Sequence, residues 1–137
     1  MSSKAQIKPG DLGDALGNIL EDFLTDCERD IEKDVRAATR VAREKVKEEP
    51  AGAGKYHDWD EYSAGWRSKV ESKHFGEIVG TVYQKSSKSG GKPGLTHLLE
   101  EGHINSDGKT RARAFPHVQP AADAGAEELM RRLKNGE

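Results

Sequence analysis

The side chains with the widest chemical reach are three histidines, His97, His103 and His117, set among Glu100 and Glu101 in the last third of the chain. Imidazoles and carboxylates together are the ligands of a hydrolytic zinc site. On a helix such a site places two histidines at i and i+4 with a glutamate beside the first, so that both rings face one ion. Here Gly102 interrupts the run between His97 and His103, and no cysteine lies nearby to complete a structural site. Structural or capping histidines are therefore expected. His57 beside Asp58 and Asp60 is a pairing that any charged loop produces by chance. The single cysteine, Cys27, cannot close an internal disulfide and falls on an apolar helical stripe, which predicts a buried, inert thiol. Gly90-Gly91-Lys92 lacks the spacing and the strand-to-helix context of a phosphate loop. No catalytic residue, no cofactor site and no metal site is predicted, and a His-ligated metal hydrolase is the remote alternative.

With chemistry set aside, the elements themselves carry the information. The 137 residues fit one domain, and with 34% hydrophobic against 34% charged residues the core must be thin. A net charge of -2 gives no global attraction to nucleic acid or to an anionic membrane. The opening Met1-Ser2-Ser3-Lys4 leads into no apolar segment of signal or membrane-spanning length, which predicts a soluble protein of a reducing cytoplasm.

Past Pro9-Gly10, apolar residues recur in steps of three and four from Leu12 to Val46, and no proline intervenes before Pro50. The spacing predicts one helix over 11–49, with Asp11 as its N-cap, roughly 55 Å long. A globule of this size has a radius of gyration of only about 14 Å, so the helix must project, kink or lie on another subunit. Its charge is segregated. Residues 11–34 carry nine acids against Arg29 and Lys33, a net of -7, and 35–49 carry five bases against three acids, a net of +2. That order suits the helix dipole, and it also suits an acidic arm meeting a basic neighbour.

Breakers at 50–54 and a polar, aromatic connection at 55–62 lead into a predicted β-hairpin over 63–84, turning at Lys73-His74-Phe75-Gly76. The Lys, Ser and Gly-rich stretch 85–94 reads as a mobile loop. Residues 95–118 are expected as a short helix closed by Gly102, a polar loop around Asp107-Gly108 and a third strand that Pro116 interrupts. Pro120 suits the first turn of a closing helix over 120–134. The sum is an α+β domain, with long N-terminal and C-terminal helices packed on a small antiparallel sheet of three to four strands. The Lys85 to Arg113 stretch is locally basic, six bases against three acids, and could touch DNA phosphates or an acidic protein surface.

The most specific block is Leu95-Thr96-His97-Leu98-Leu99-Glu100-Glu101-Gly102-His103, followed after a loop by Arg111-Ala112-Arg113-Ala114-Phe115-Pro116-His117-Val118-Gln119-Pro120-Ala121. It resembles the HK-ninety-seven gene-product-ten-like tail-component family of long-tailed bacteriophages. That family's pattern is an aliphatic-Glu-x-Gly element, a variable loop, an arginine, a Pro-x-x-x-Pro-Ala stretch and a final helix. Glu101 and Gly102 fall in the first element, Arg113 is the arginine, and Pro116 and Pro120 open and close the second. His103 stands where threonine is common, and His117 and Gln119 where aromatic and basic residues are common.

The resemblance implies a non-enzymatic neck or minor tail component that completes the tail and joins it to the head. It implies partners among head-completion, tail-terminator and tail-tube subunits, self-association into a sixfold ring, contact with packaged DNA, and no membrane. The location so implied is the virion neck, reached from the host cytoplasm. A cytoplasmic interaction adaptor unrelated to phage is the other class left open.

Overall fold

The computed structural model describes residues 11–55, 58–73 and 76–135. The expected pairing of His57 with Asp58, and the tip of the hairpin at His74 and Phe75, lie outside the described residues. Helix α1 runs over Leu12–Val46 and α4 over Val118–Asn135, with a single-turn helix α2 at Trp59–Ser63 and a short helix α3 at Pro93–Glu101 between them. Strands β1 (Trp66–Ser72) and β2 (Ile78–Gln84) form an antiparallel hairpin in which Ser68 faces Val82 and Val70 faces Gly80. Strands β3 (His103–Ile104) and β4 (Arg111–Ala112) pair separately. The fold is α+β.

The strand count corrects the expectation: among the described residues there are two two-stranded ribbons, not one sheet of three to four strands. Pro116 removes an N–H donor from the stretch that would have to extend β4, and the Phe115 N–H is given to the Leu99 carbonyl on α3, so the strand does not run on to Val118. Helix α1 ends at Val46, not Glu49. A proline at position 50 both clashes with the carbonyl four residues earlier, that of Val46, and pushes Glu49 out of the helical region. The carbonyl of Lys47, freed by this early ending, accepts the indole N–H of Trp59 at 2.8 Å.

Within the stretch 85–94, expected as a mobile loop, residues 85–92 form a turn and Pro93 opens α3. A 3-10 turn at Ser87–Ser89 ends in left-handed Gly90, and a side chain at Gly91 would collide with the Lys85 carbonyl. Gln84 ties this turn to α2, accepting from the Lys92 N–H (3.3 Å) and donating to the Tyr62 carbonyl (2.9 Å).

Two glycines set how closely α1 is packed. At Gly80 a Cβ would run into Thr39 Oγ1, so α1 crosses the hairpin at the one position of its two strands without a side chain. At Gly125 a Cβ would meet Ala42 Cβ at 3.0 Å and the Ala38 carbonyl at 3.3 Å, so α4 packs on α1 through small residues. Farther along the same pair of helices, buried Asp34 faces Arg132, 3.9 Å away. The thin core gathers at the C-terminal end of α1. It holds Val46, Ala53, Trp59, Tyr62, Trp66, Leu99, Phe115 and Ala121.

Candidate functional site

The block at 95–121 is built around one carboxylate. The N-terminal turn of any helix leaves up to four N–H groups without intrahelical partners. In α4 these positions are His117, Val118, Gln119 and Pro120, and proline has no N–H. The three remaining donors all reach Glu100 on α3: His117 N at 2.8 Å, Val118 N at 2.7 Å and Gln119 N at 3.3 Å. Glu100 therefore caps α4 from another helix and places its charge at the positive end of the α4 dipole. The helix starts two residues before Pro120, because capping from a distance lets Val118 and Gln119 join the first turn.

His117 is the centre of the core beside this cap and is only 3% exposed. Its Nδ1 lies 2.9 Å from the Phe115 carbonyl and its Nε2 lies 2.8 Å from the Tyr62 hydroxyl. A carbonyl only accepts, so Nδ1 carries the hydrogen, and Nε2 is left to bond the Tyr62 hydroxyl. Tyr62 also bonds Thr96 Oγ1 at 2.9 Å. Rings of Trp59, Tyr62 and Trp66 meet the imidazole edge to face at 5.2, 5.6 and 6.1 Å. Burial pushes the Tyr62 hydroxyl up to about 12, against the lowering effect of its hydrogen bond with Thr96 and with the help of the nearby Glu100 charge. Such a hydroxyl stays protonated at neutral pH and holds its neighbours in place.

The other residues singled out in the sequence are dispersed around this hub. Exposed His97 pairs with Glu101 at 3.5 Å, and the Glu101 carbonyl accepts from Arg111 at 3.3 Å. His103 pairs across the second ribbon with Ala112. Among the described residues, no group of three or more His, Cys, Asp or Glu side chains could hold a metal ion. Gly102 has φ +74 and ψ 176, an extended mirror-image conformation and not the left-handed helical cap expected of it. A Cβ there would sit 2.6 Å from the Ala112 carbonyl. Arg113 lies over the Phe115 ring at 5.4 Å. Pro116 is exposed between buried Phe115 and His117, and fixes the backbone where the chain turns into α4. In the turn that joins the second ribbon, the Asp107 carboxyl is held below its usual range by the Lys109 N–H and by Thr110.

Away from the hub, the N-terminal half of α1 leaves the body. From Leu12 to Asp30 every residue is exposed except Ala15 and Cys27, which are half-buried. Cys27 is thus on the apolar stripe as expected but only half-buried, because among the described residues no element packs over the stripe. The near edge of the body is marked by the hairpin turn, where a Cβ on Gly76 would lie 3.1 Å from Glu28 Oε1. Leu16 is 56% exposed, Ile19 and Phe23 are 61%, and Leu12, Leu20 and Leu24 are similarly bare. Among the described residues, no helix is long and apolar enough to cross a membrane. No family model matches the chain, and neither a curated protein nor a solved structure matches it.

Proposed function

We propose that this chain is a structural subunit of the neck of a long-tailed bacteriophage or prophage, a minor tail component that completes the tail and joins it to the head. The observation that carries the proposal is the projecting arm. A helix of 35 residues, about 52 Å long, exposes large apolar side chains along its N-terminal half. A lone subunit gains nothing from that exposure, whereas a subunit of a closed assembly buries it.

The order of elements supports the same reading. Long helix, hairpin, short helix ending in Glu101-Gly102, loop, Arg113, Pro116 to Ala121 and closing helix follow one another as the family resemblance implies. The hub at Glu100 and His117 then acts as scaffolding that aims α4 and the second ribbon. In this reading the subunit forms a sixfold ring and meets head-completion, tail-terminator or tail-tube subunits, and its basic turns can face packaged DNA. Deleting the gene from a phage that carries it is expected to leave filled heads and separate tails. Joined, infectious particles from such a deletion would refute the assignment.

A further inference from the structure

Helix α1, the hairpin and α4 enclose an open apolar groove of about 510 Å³, and its lining includes Val35, Ala42, Ile78, Val82, Ala122 and Leu129. We infer that this groove receives the projecting α1 arm of a second copy of the chain, apolar stripe inward, so that subunits join arm to groove. The inference deepens the ring proposed above and rests on that proposal only for the number of copies.

Shape is the first argument. The arm offers large side chains at i, i+3, i+4, i+7 and i+8, namely Leu16, Ile19, Leu20, Phe23 and Leu24. The middle of the groove wall formed by α4 is made of small residues, Ala121, Ala122, Gly125 and Ala126, between Val118 and Leu129, and the groove has room for several leucine-sized side chains. Large knobs on one surface and small residues on the other are complementary in the way that packed helices are.

Charge is the second. Residues 11–34 carry nine acids and two bases, net -7, while residues 35–137 carry eighteen bases and fifteen acids, net +3. Two arms lying side by side would bring -7 against -7, whereas an arm on a body brings opposite signs together. Area is the third. Six or seven half-exposed large apolar side chains amount to on the order of 600 Å², at the upper end of what a monomer surface carries and close to one side of a standard interface.

The arm cannot occupy its own groove, because Val35 to Val46 of the same continuous helix already form one side of it. The occupant must come from another copy. An arm-to-groove contact joins two different surfaces, so it propagates head to tail and closes into a ring when the rotation permits.

Sedimentation of the full chain over a range of concentrations tests this, using two variants at exposed positions. Phe23→Glu disables the arm and leaves the groove intact. Ala126→Glu places a carboxylate in the groove and leaves the arm intact. Wild-type mass is expected to rise with concentration, and each variant alone is expected to associate about tenfold or more weakly. Mixed together, the two variants still possess one good arm and one good groove between them, so they are expected to form a 1:1 dimer that grows no further. Circular dichroism melts matching the parent keep a folding defect from imitating the result.

Wild type that stays monomeric at every concentration would overturn the inference. So would an Ala126→Glu protein that associates like the parent, the outcome for arm-to-arm pairing or for a groove that serves a small apolar ligand. Failure here leaves the gene-deletion result untouched, and a dispensable gene leaves the mixing result untouched, so the two proposals fail separately.

Discussion

Glu100 holds three backbone donors at once, which makes it the residue on which the C-terminal third depends most. Glu100→Ala strands those donors in a partly buried place, and hydrogen bonds to a charged group contribute about 1.5–3 kcal/mol each at most. A loss of about 2–3 kcal/mol in urea unfolding is expected, with Glu100→Gln intermediate because its amide oxygen still accepts. Unchanged stability in the alanine variant would mean that the cap is not formed. Tyr62 gives a second test through pH. Burial raises its folded pKa to about 12, above the 10.0 of an exposed tyrosine. Below pH 10 both states are protonated and stability is whole. Between pH 10 and 12 the unfolded chain ionises while the folded one does not, so stability falls, by about 2–3 kcal/mol for a two-unit difference. Tyr62→Phe is expected to cost about 1–3 kcal/mol near neutral pH by stranding His117 Nε2, and to flatten the alkaline loss relative to the parent. Parallel pH profiles for the two proteins would refute the buried, hydrogen-bonded hydroxyl.

The elements differ in how far they could be read from residue order, and the differences have physical causes. Helix α1 was legible because its apolar period persists over ten turns, and the hairpin because β-branched residues fill both faces of β2. Helix α2 was not, since a single turn is too short to show a period, and its buried pair Trp59 and Tyr62 lies in what looks like a polar connection. The hub was half-legible. His117 is expected from the sequence as a structural or capping residue, and the fold buries it beside Glu100; that Glu100 and not its neighbour Glu101 caps α4 is distinguished only by contact across the fold. One clue was available, because His117-Val118-Gln119-Pro120 opens a helix with no Ser, Thr, Asp or Asn to cap it. The sequence singles out Gly102 as a left-handed cap, and its constraint is a different one. With φ +74, ψ 176 and the Ala112 carbonyl 2.6 Å from any Cβ, Gly102→Val is expected to cost about 2 kcal/mol or more, whereas His103→Ala should keep the fold. A valine variant that melts with the parent, or an alanine variant that unfolds, would count against this geometry.

At the scale of the whole molecule one continuous helix belongs to two environments. From Val35 onward α1 is held by the hairpin and by α4, with close approaches at Gly80 and Gly125, while from Leu12 to Cys27 it has no tertiary cover among the described residues. An isolated helix of that length is marginal in water, and Gly13 and Gly17 weaken it by up to about 1 kcal/mol each relative to alanine. Backbone hydrogen bonds of the arm should therefore open locally at a cost of about 0–2 kcal/mol, whereas those near Ala38 and Ala42 open only with the fold. Amide exchange followed along α1 in dilute, monomeric protein is expected to show this gradient, fast through residue 27 and slow beyond residue 35. Burying the stripe on a neighbour adds tertiary cover to the same amides, so protection of the arm should rise with concentration and should fail to rise in Phe23→Glu. Uniform protection along α1 in the monomer would show that the arm is already packed, and would remove both the projection and the reason for a second copy to cover it.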